Sequence, residues 1–281
     1  MCQFCVEHGD GKKWYLEASN YAFDLESDLR RRGYIVEFLS GFDTMRARAI
    51  GGMEFLGMLP GPLERTGKRI ASKRMRGVHF GQPVPIEECA QIFDIATSIV
   101  RIPCVCRMWA KPNKPAEEVC VLVTTQPMEP LLEEGFRSYD SGPDTSDFQR
   151  LSKSEALQLL RACEERGLMH SVWTFITPFI GAICNCDRES GCMAMRLTGE
   201  YSMPLMWRGE SVAQLDAGAC SNCRECVELC PFDAIAPNGP GGPVRLRQEA
   251  CWGCGVCRSA CSSAAISLVD RRSVPAVANL W

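Results

Sequence analysis

Residues 220–231 read Cys-Ser-Asn-Cys-Arg-Glu-Cys-Val-Glu-Leu-Cys-Pro, and residues 251–262 read Cys-Trp-Gly-Cys-Gly-Val-Cys-Arg-Ser-Ala-Cys-Ser. Both runs have the spacing Cys-x2-Cys-x2-Cys-x3-Cys, and both continue to an Ala-Ile pair, at 234–235 and 265–266. The chain therefore contains an internal repeat. Between the halves lies 237–243, Pro-Asn-Gly-Pro-Gly-Gly-Pro, an insertion whose composition is typical of turns.

The cysteine spacing is that of a backbone loop wrapped around a [4Fe-4S] cluster, with the fourth thiolate of each run ligating the partner cluster. This crossing predicts two ligand sets, which are Cys220, Cys223, Cys226 and Cys261 for the first cluster, and Cys251, Cys254, Cys257 and Cys230 for the second. A pair of zinc sites is the alternative. Structural zinc sites, however, more often use Cys-x2-Cys pairs separated by a longer insert.

The repeat resembles a bacterial-type two-cluster ferredoxin domain over about residues 215–270. The resemblance implies a compact domain that holds two [4Fe-4S] clusters and transfers electrons. One position departs from the family pattern, because Ser262 follows the fourth cysteine of the second half where proline is usual, whereas Pro231 is kept in the first half. Unlike proline, serine does not fix φ, and it has a backbone N–H that can donate a hydrogen bond. This bears on the potential and packing of that cluster and not on its ligation.

Length and charge set the limits for the rest of the chain. At 281 residues the chain is too long for the ferredoxin repeat alone, so we expect two or three domains. The net charge of -3 gives no global argument for binding nucleic acid. Eighteen cysteines suit either a disulfide scaffold or metal ligands. With no secretory pattern at residue 1 and no apolar run long enough to span a bilayer, we expect a cytoplasmic protein with most cysteines on metal.

A second set of cysteines lies upstream of the repeat. It comprises Cys104, Cys106, Cys120, Cys184, Cys186 and Cys192. Six candidates for four positions suit one additional iron–sulfur cluster, and Cys2 and Cys5 at the amino terminus raise the number of candidates to eight, enough for two. A zinc site, redox-labile thiols and, for Cys2 and Cys5, a mobile terminus are the alternatives. In each Cys-x-Cys pair we expect only one sulfur to ligate unless a loop turns both inward.

The pattern Pro-Cys-x-Cys-Arg, a helix ending in Glu-x-Gly-Leu-x-His, and Ile-Cys-Asn-Cys resembles the cysteine-rich module that precedes a two-cluster ferredoxin in a group of anaerobe iron–sulfur proteins. The likeness covers roughly residues 95–270. Members often have further cysteines directly after Ile-Cys-Asn-Cys, whereas here Asp187 follows and Cys192 comes later. The resemblance therefore implies a cluster in this module without specifying its ligands.

Local patterns predict three helices. Residues 14–32 place acids early and arginines late before Gly33, which predicts a helix ending at that glycine. Pro85 opens an amphipathic pattern to Val100 that includes Cys89 on its apolar face. Ser152 and Glu155 have capping-box spacing before a helix that ends at Gly167, and the extended segment after it completes a winged-helix-like unit. We expect Cys89, Cys163 and His170 to be structural.

Other stretches carry weaker signals. Residues 65–76 hold six basic side chains, which suit a solvated surface, an acidic redox partner or nucleic acid. No dinucleotide or Walker fingerprint occurs in the chain. Trp252 is expected to shield its cluster by packing, and the tail from 270 is expected to be poorly ordered unless it docks.

These observations predict an α+β protein with a helical, cysteine-rich amino-terminal module and a ferredoxin-like domain. The predicted segments are 1–84, 85–212, 213–270 and a tail at 271–281. The function expected is single-electron transfer between a donor and a redox enzyme or another electron-transfer protein. Neither nucleic acid nor a membrane span is part of this prediction, and no catalytic residue is assigned. The alternatives are an iron–sulfur regulator that binds nucleic acid and a reductase with its substrate at an amino-terminal cluster.

Overall fold

A computed structural model describes residues 13–22, 28–110, 117–127, 148–189, 192–203, 205–239 and 241–281. Cys2 and Cys5 lie outside these residues, so their proposed role in metal binding stays a prediction. All cysteines in the described part of the chain are free thiols. Among the described helices, none combines the length and the hydropathy that a bilayer-spanning segment needs.

The described part of the chain contains both helices and strands, which agrees with the predicted α+β class. The helices are α1 (Leu29–Ser40), α2 (Phe42–Gly57), α3 (Gly61–Arg76), α4 (Ile86–Ile95), α5 (Val105–Ala110), α6 (Lys153–Glu165), α7 (Met193–Met195), α8 (Glu225–Glu228) and α9 (Val256–Ser259). The strands are β1 (Gly81–Pro83), β2 (Ser98–Ile102), β3 (Cys120–Thr124), β4 (Gln149–Arg150), β5 (Met169–Thr174), β6 (Ile180–Cys186), β7 (Ser211–Leu215), β8 (Ile235–Ala236), β9 (Arg245–Leu246) and β10 (Ile266–Asp270).

Two of the predicted helices begin where their sequences indicate. Helix α6 starts with a complete capping box, in which the Ser152 hydroxyl accepts from the Glu155 backbone and the Glu155 carboxylate accepts from the Ser152 backbone. Gly167 follows with a φ of 77°, as expected for a glycine after a helix. Pro85 caps α4, and Cys89 is fully buried on its inner face.

The prediction of one helix over 14–32 was wrong. Trp14–Leu16 and Ala18–Tyr21 form two short 3-10 helices, and an α-helix begins only at Leu29. Asp28 caps that helix by accepting from two backbone N–H groups. Helix α1 runs through Gly33 to Ser40, because packing of Ile35 and Leu39 into the core outweighs the weak helix propensity of one glycine.

The central sheet places a separate hydrophobic core on each of its faces. Strands β1 to β6 are antiparallel in the order β1-β5-β6-β3-β2-β4. In β3 the side chains alternate, so that Val121 and Val123 belong to the core under α4 and α6, whereas Cys120 and Leu122 belong to the core under α1 and α2. Cysteines at every second position of these strands therefore face one core.

The ferredoxin half is built on two short ladders. Strand β7 pairs antiparallel with β10, and β8 pairs with β9 on either side of the proline- and glycine-rich insertion. The tail docks against this half, since Arg271 and Val277 are fully buried. Strand β1, from the predicted segment 1–84, pairs with β5 of the next segment. The predicted domain boundaries remain a proposal.

Candidate metal centres

The eight cysteines of the repeat surround two small cavities. One, of about 20 Å³, is lined by Cys230, Cys251, Cys254 and Cys257, and the other, of about 10 Å³, by Cys220, Cys223, Cys226 and Cys261. In each case three cysteines come from one half of the repeat and the fourth from the other half. The two groups have the same membership as the two crossed ligand sets predicted from the spacing.

Backbone amides donate to the sulfurs in the same way in both halves. The Ala234 N–H lies 3.3 Å from Cys230 Sγ, and the Ala265 N–H lies 3.3 Å from Cys261 Sγ. These alanines begin the Ala-Ile pairs that recur in the sequence. Such donors stabilise negative charge on a ligating sulfur. The repeated alanine therefore marks the position whose amide supports the fourth cysteine of each run.

The turns that carry these cysteines use left-handed backbone at equivalent positions. Asn222 and Arg224 have φ values of 58° and 70° in the first half, and Gly253 and Gly255 have 77° and 88° in the second. Glycine adopts this conformation without strain. The second half needs glycine at 253 for a further reason, because a Cβ there would lie 2.0 Å from the Ser211 carbonyl oxygen.

The other six predicted ligands line a larger cavity of about 150 Å³. They are Cys104, Cys106, Cys120, Cys184, Cys186 and Cys192. The rest of the lining includes apolar side chains of α1 and α2, such as Phe38 and Phe42, together with Trp173 of β5. An apolar shell of this kind keeps water away from the sulfurs.

Regular secondary structure brings these thiols together. Cys184 and Cys186 lie in the extended strand β6, and side chains two residues apart on a strand share a face. Both therefore line the cavity without a loop, which corrects the expectation that only one sulfur of a Cys-x-Cys pair would be available. Cys120 reaches the same cavity from the neighbouring strand β3.

Two of the six thiols precede short helical turns. Cys104 lies near the backbone amide of Arg107, and Cys192 lies near that of Met195. Hydrogen bonds from neighbouring thiols, Cys106 first in each case, and these amides lower the pKa of Cys104 and Cys192 well below the ordinary value of 9.0. Interactions with neighbouring thiols first, and burial in addition, raise the pKa of the other four, which are Cys106, Cys120, Cys184 and Cys186. Only Cys104 and Cys192 are therefore shifted toward the thiolate, which is the form that binds metal.

Arg107 supplies positive charge beside the six thiols. Its guanidinium is buried, pairs with Glu117, and donates to the Asn185 carbonyl at 3.2 Å. Burial lowers the pKa of Arg107, but the Cys104 thiol and the carboxylates of Glu117 and Asp187 outweigh this effect and raise it. The sequence indicated this residue only as the arginine of Pro-Cys-x-Cys-Arg, with no role attached.

The remaining residues of interest lie apart from the six thiols. Cys89 and Cys163 are buried and do not line the cavity. His170 is fully buried and its Nδ1 contacts the Asn185 side-chain oxygen. The basic run lies on α3, where a groove of about 550 Å³ is lined by side chains that include Lys68, Arg69 and Lys73.

The six-thiol cavity and the ferredoxin half share one core. Cys254 and Val256 are buried in the hydrophobic cluster that also contains Cys104, Cys120 and Cys186. Trp252 packs against this cluster and stacks on Phe232, with ring centroids 4.9 Å apart. The ligand set containing Cys254 therefore lies on the side of the ferredoxin half that faces the six thiols.

A buried carboxyl group that the sequence analysis did not single out lies at the start of β7. Among the described residues, neither oxygen of Glu210 has a hydrogen-bond partner, and the side chain is buried. Burial first, and the nearby Glu88 carboxylate in addition, raise the pKa of Glu210 from 4.5 to about 7, although Arg272 and the nearby Gln82 side chain oppose the shift. No sequence pattern indicates this position.

Replacing Glu210 with glutamine is expected to make stability less dependent on pH. Because its folded pKa is raised, Glu210 binds its proton more tightly when folded, and stability is lost as pH rises from about 4.5 through about 7. At pH 8 the variant should be more stable by up to about 3 kcal/mol, a difference that shrinks by pH 5. Apparent melting temperatures measured anaerobically at both pH values, with Glu249→Gln at an exposed position as control, test this. An equal shift at both pH values would contradict it.

Comparison with known proteins supports the ferredoxin-like half. A family model described as a 4Fe-4S dicluster domain matches residues 219–266. The match supports an iron–sulfur, ferredoxin-like domain in this part of the chain, as the resemblance predicted, and with it an iron–sulfur electron-transfer role. No curated protein matches the chain.

Proposed function

We propose that this protein is an electron carrier with two [4Fe-4S] clusters in the ferredoxin-like domain and a third iron–sulfur cluster at the six-thiol cavity. The observation that carries the proposal is the grouping of fourteen cysteines around three cavities, two with four sulfurs each and one with six. Clusters so held accept and release single electrons without bond making. The cytoplasm, which keeps thiols reduced, is the compartment that suits this composition.

The arrangement of the cavities supports a linear order of electron transfer. Cys223, in the first ligand set, is exposed, so that set lies next to solvent, where a redox partner would dock. Cys254, in the second set, is buried in the core that contains the six thiols. We infer that electrons enter or leave near Cys223 and pass through the second ligand set to the buried third site.

The same residues favour iron–sulfur clusters over zinc. Zinc needs four ligands converging on one point, at about 2.3 Å for sulfur. Among the described residues, no group of three or more His, Cys, Asp or Glu side chains is arranged to hold a single metal ion. Sulfurs that line a cavity, with amides and Arg107 as neighbours, suit an inorganic core that carries negative charge.

Iron and acid-labile sulfide, quantified per chain after anaerobic purification, test the proposal. We expect at least about twelve iron atoms per chain, four for each cluster of the ferredoxin-like domain and four or more for the third. About eight would leave only the ferredoxin-like domain loaded and remove the third site from the proposal. Colourless protein, or zinc in place of iron, would overturn the proposal as a whole.

A variant with Cys226 and Cys257 both replaced by alanine provides the matched control for that measurement. It removes one ligand from each ferredoxin ligand set and leaves all six upstream thiols in place. We expect only the iron of the third cluster, about four atoms or more, to remain. Iron at the upstream site can then be examined without the spectra of the other two clusters.

A reductase is the second candidate function. The cavity of about 150 Å³ lined by the six thiols is the observation that favours it. The space beside the six thiols is bounded by Phe38, Phe42 and Trp173, which would accept a small apolar molecule. A substrate bound there would lie next to the third cluster. An EPR signal of that cluster that changes when a ligand is added would favour this function, and an unchanged signal would favour the carrier.

A further inference from the structure

The six upstream thiols form a closed ring, which four ligand positions do not require. Each thiol interacts with two of the others, so that the order of neighbours around the ring is Cys104, Cys106, Cys192, Cys186, Cys184, Cys120 and back to Cys104. Every one of the six also lines the same cavity. A four-cysteine site would leave two thiols in the same cavity without iron.

The ring consists of two equivalent halves. In the first half, Cys104 directly precedes α5, Cys106 lies in α5 and Cys120 lies in β3, and the three are consecutive in the ring. The other half, Cys184, Cys186 and Cys192, comes from β6 and the residue before α7, and its members are also consecutive. The halves meet at two contacts, Cys106 with Cys192 and Cys120 with Cys184. Each half therefore presents three sulfurs to the same space.

The surroundings of the two halves are also similar. Each half has one cysteine near a backbone amide at the start of a helical turn, Cys104 in the first and Cys192 in the second. In each half the strand cysteines face the same side of the central sheet. Each half therefore supplies at least one strand cysteine and one cysteine at the start of a helical turn.

We propose that all six thiolates ligate one iron–sulfur cluster, three from each half of the ring, so that the third site is not an ordinary four-cysteine cubane. The proposal rests on the third cluster of the proposed function and specifies its ligands. Six thiolates on one core require either more than four iron atoms or a four-iron core with fewer sulfides, in which extra thiolates take the vacant positions. Both compositions differ from the equal iron and sulfide of a [4Fe-4S] cluster.

The iron and sulfide content of the wild-type protein is the first test. The ferredoxin half contributes about eight iron and eight sulfide. We expect either about sixteen iron per chain, or about twelve iron with fewer than twelve sulfides. About twelve iron with about twelve sulfide would match an ordinary third cubane and overturn six-fold ligation. About eight iron would overturn the third cluster itself, so failure of the proposed function and failure of this inference give different numbers.

Single substitutions of the ring cysteines are the second test. Each of the six alanine variants is expected to lower iron per chain by a quarter or more and to change the EPR spectrum of the third cluster. Cys163→Ala, a buried thiol of the same hydrophobic core outside the ring, is the matched control and should keep both. Two ring variants that match Cys163→Ala in iron content and spectrum would overturn the proposal.

Serine variants cover the case in which an alanine variant fails to fold. A serine oxygen at a ligand position retains the shape of the side chain and shifts the midpoint potential and the EPR spectrum. At a spectator position it leaves both close to the wild-type values. Far-UV circular dichroism, and retention of the iron of the ferredoxin half, establish that each variant is folded. Six shifted serine variants would support the proposal, and two or more unshifted ones would overturn it.

Discussion

Replacing Gly253 with alanine is expected to remove about four iron atoms per chain and to destabilise the protein by more than about 4 kcal/mol. A Cβ at this position would lie 2.0 Å from the Ser211 carbonyl oxygen and 2.9 Å from its carbonyl carbon. Both are backbone atoms of β7, so neither can rotate away. Moving the loop instead would displace Cys251 and Cys254, which belong to one predicted ligand set.

Gly255→Ala is the matched control for this experiment. Gly255 lies in the same loop and also has a positive φ, of 88°, but the nearest atom to a Cβ there is Leu268 Cδ1 at an ordinary 3.4 Å. Its alanine variant should be destabilised by only about 1–2 kcal/mol, which is the cost of the left-handed backbone conformation for a residue with a Cβ. Iron content and the apparent melting temperature, both measured anaerobically, compare the two variants. Equal iron in both would show that the close approach to β7 is dispensable.

Replacing Arg271 with methionine is expected to destabilise the protein by about 3–5 kcal/mol. The fully buried guanidinium donates to three carbonyl oxygens, those of Gly209 at 2.7 Å, Ser211 at 2.9 Å and Cys251 at 3.1 Å. These contacts join the start of β7 to the loop of the second ligand set. Methionine would fill much of the volume and leave the three carbonyls without their donor, which is the unfavourable part of the change.

The same substitution is expected to make one midpoint potential more negative. Burial lowers the pKa of Arg271 to about 10, opposed by the nearby Cys251, so the side chain remains charged at neutral pH. A positive charge beside a cluster favours its reduced state, and removing the charge favours the oxidised state. Arg272→Met, at an exposed neighbour paired with Asp270, is the control and should change stability by about 1 kcal/mol or less. An unchanged potential in the Arg271 variant would contradict the electrostatic argument.

The sequence was sufficient to predict features that depend only on residues close together in the chain. A capping box depends on residues three apart, and the starts of α4 and α6 agree with their sequence signals. The duplicated cysteine spacing is local in the same sense, because each run wraps its own loop. The family match to residues 219–266 agrees with that part of the prediction.

Local sequence was insufficient at the amino terminus. The charge polarity of 14–32 and Gly33 predicted a helix and its end, but α1 begins at Leu29 and passes through Gly33. Trp14 and Tyr15 are buried against the central sheet, where Trp14 donates to the Gln82 side chain at 2.6 Å. Contacts between residues far apart in the chain decided this segment, and no periodicity within the segment reports them.

The amino-acid sequence by itself determined that this protein has a duplicated cysteine repeat of the two-cluster ferredoxin type, because the spacing of ligands along one loop is a property of the chain alone. It also identified the six upstream cysteines as candidates. Only the tertiary structure decided that all six surround one cavity in a ring, since β3, β6, α5 and α7 become neighbours only when the central sheet forms. Tertiary packing likewise buried Arg271 and Glu210, whose surroundings come from residues distant in sequence.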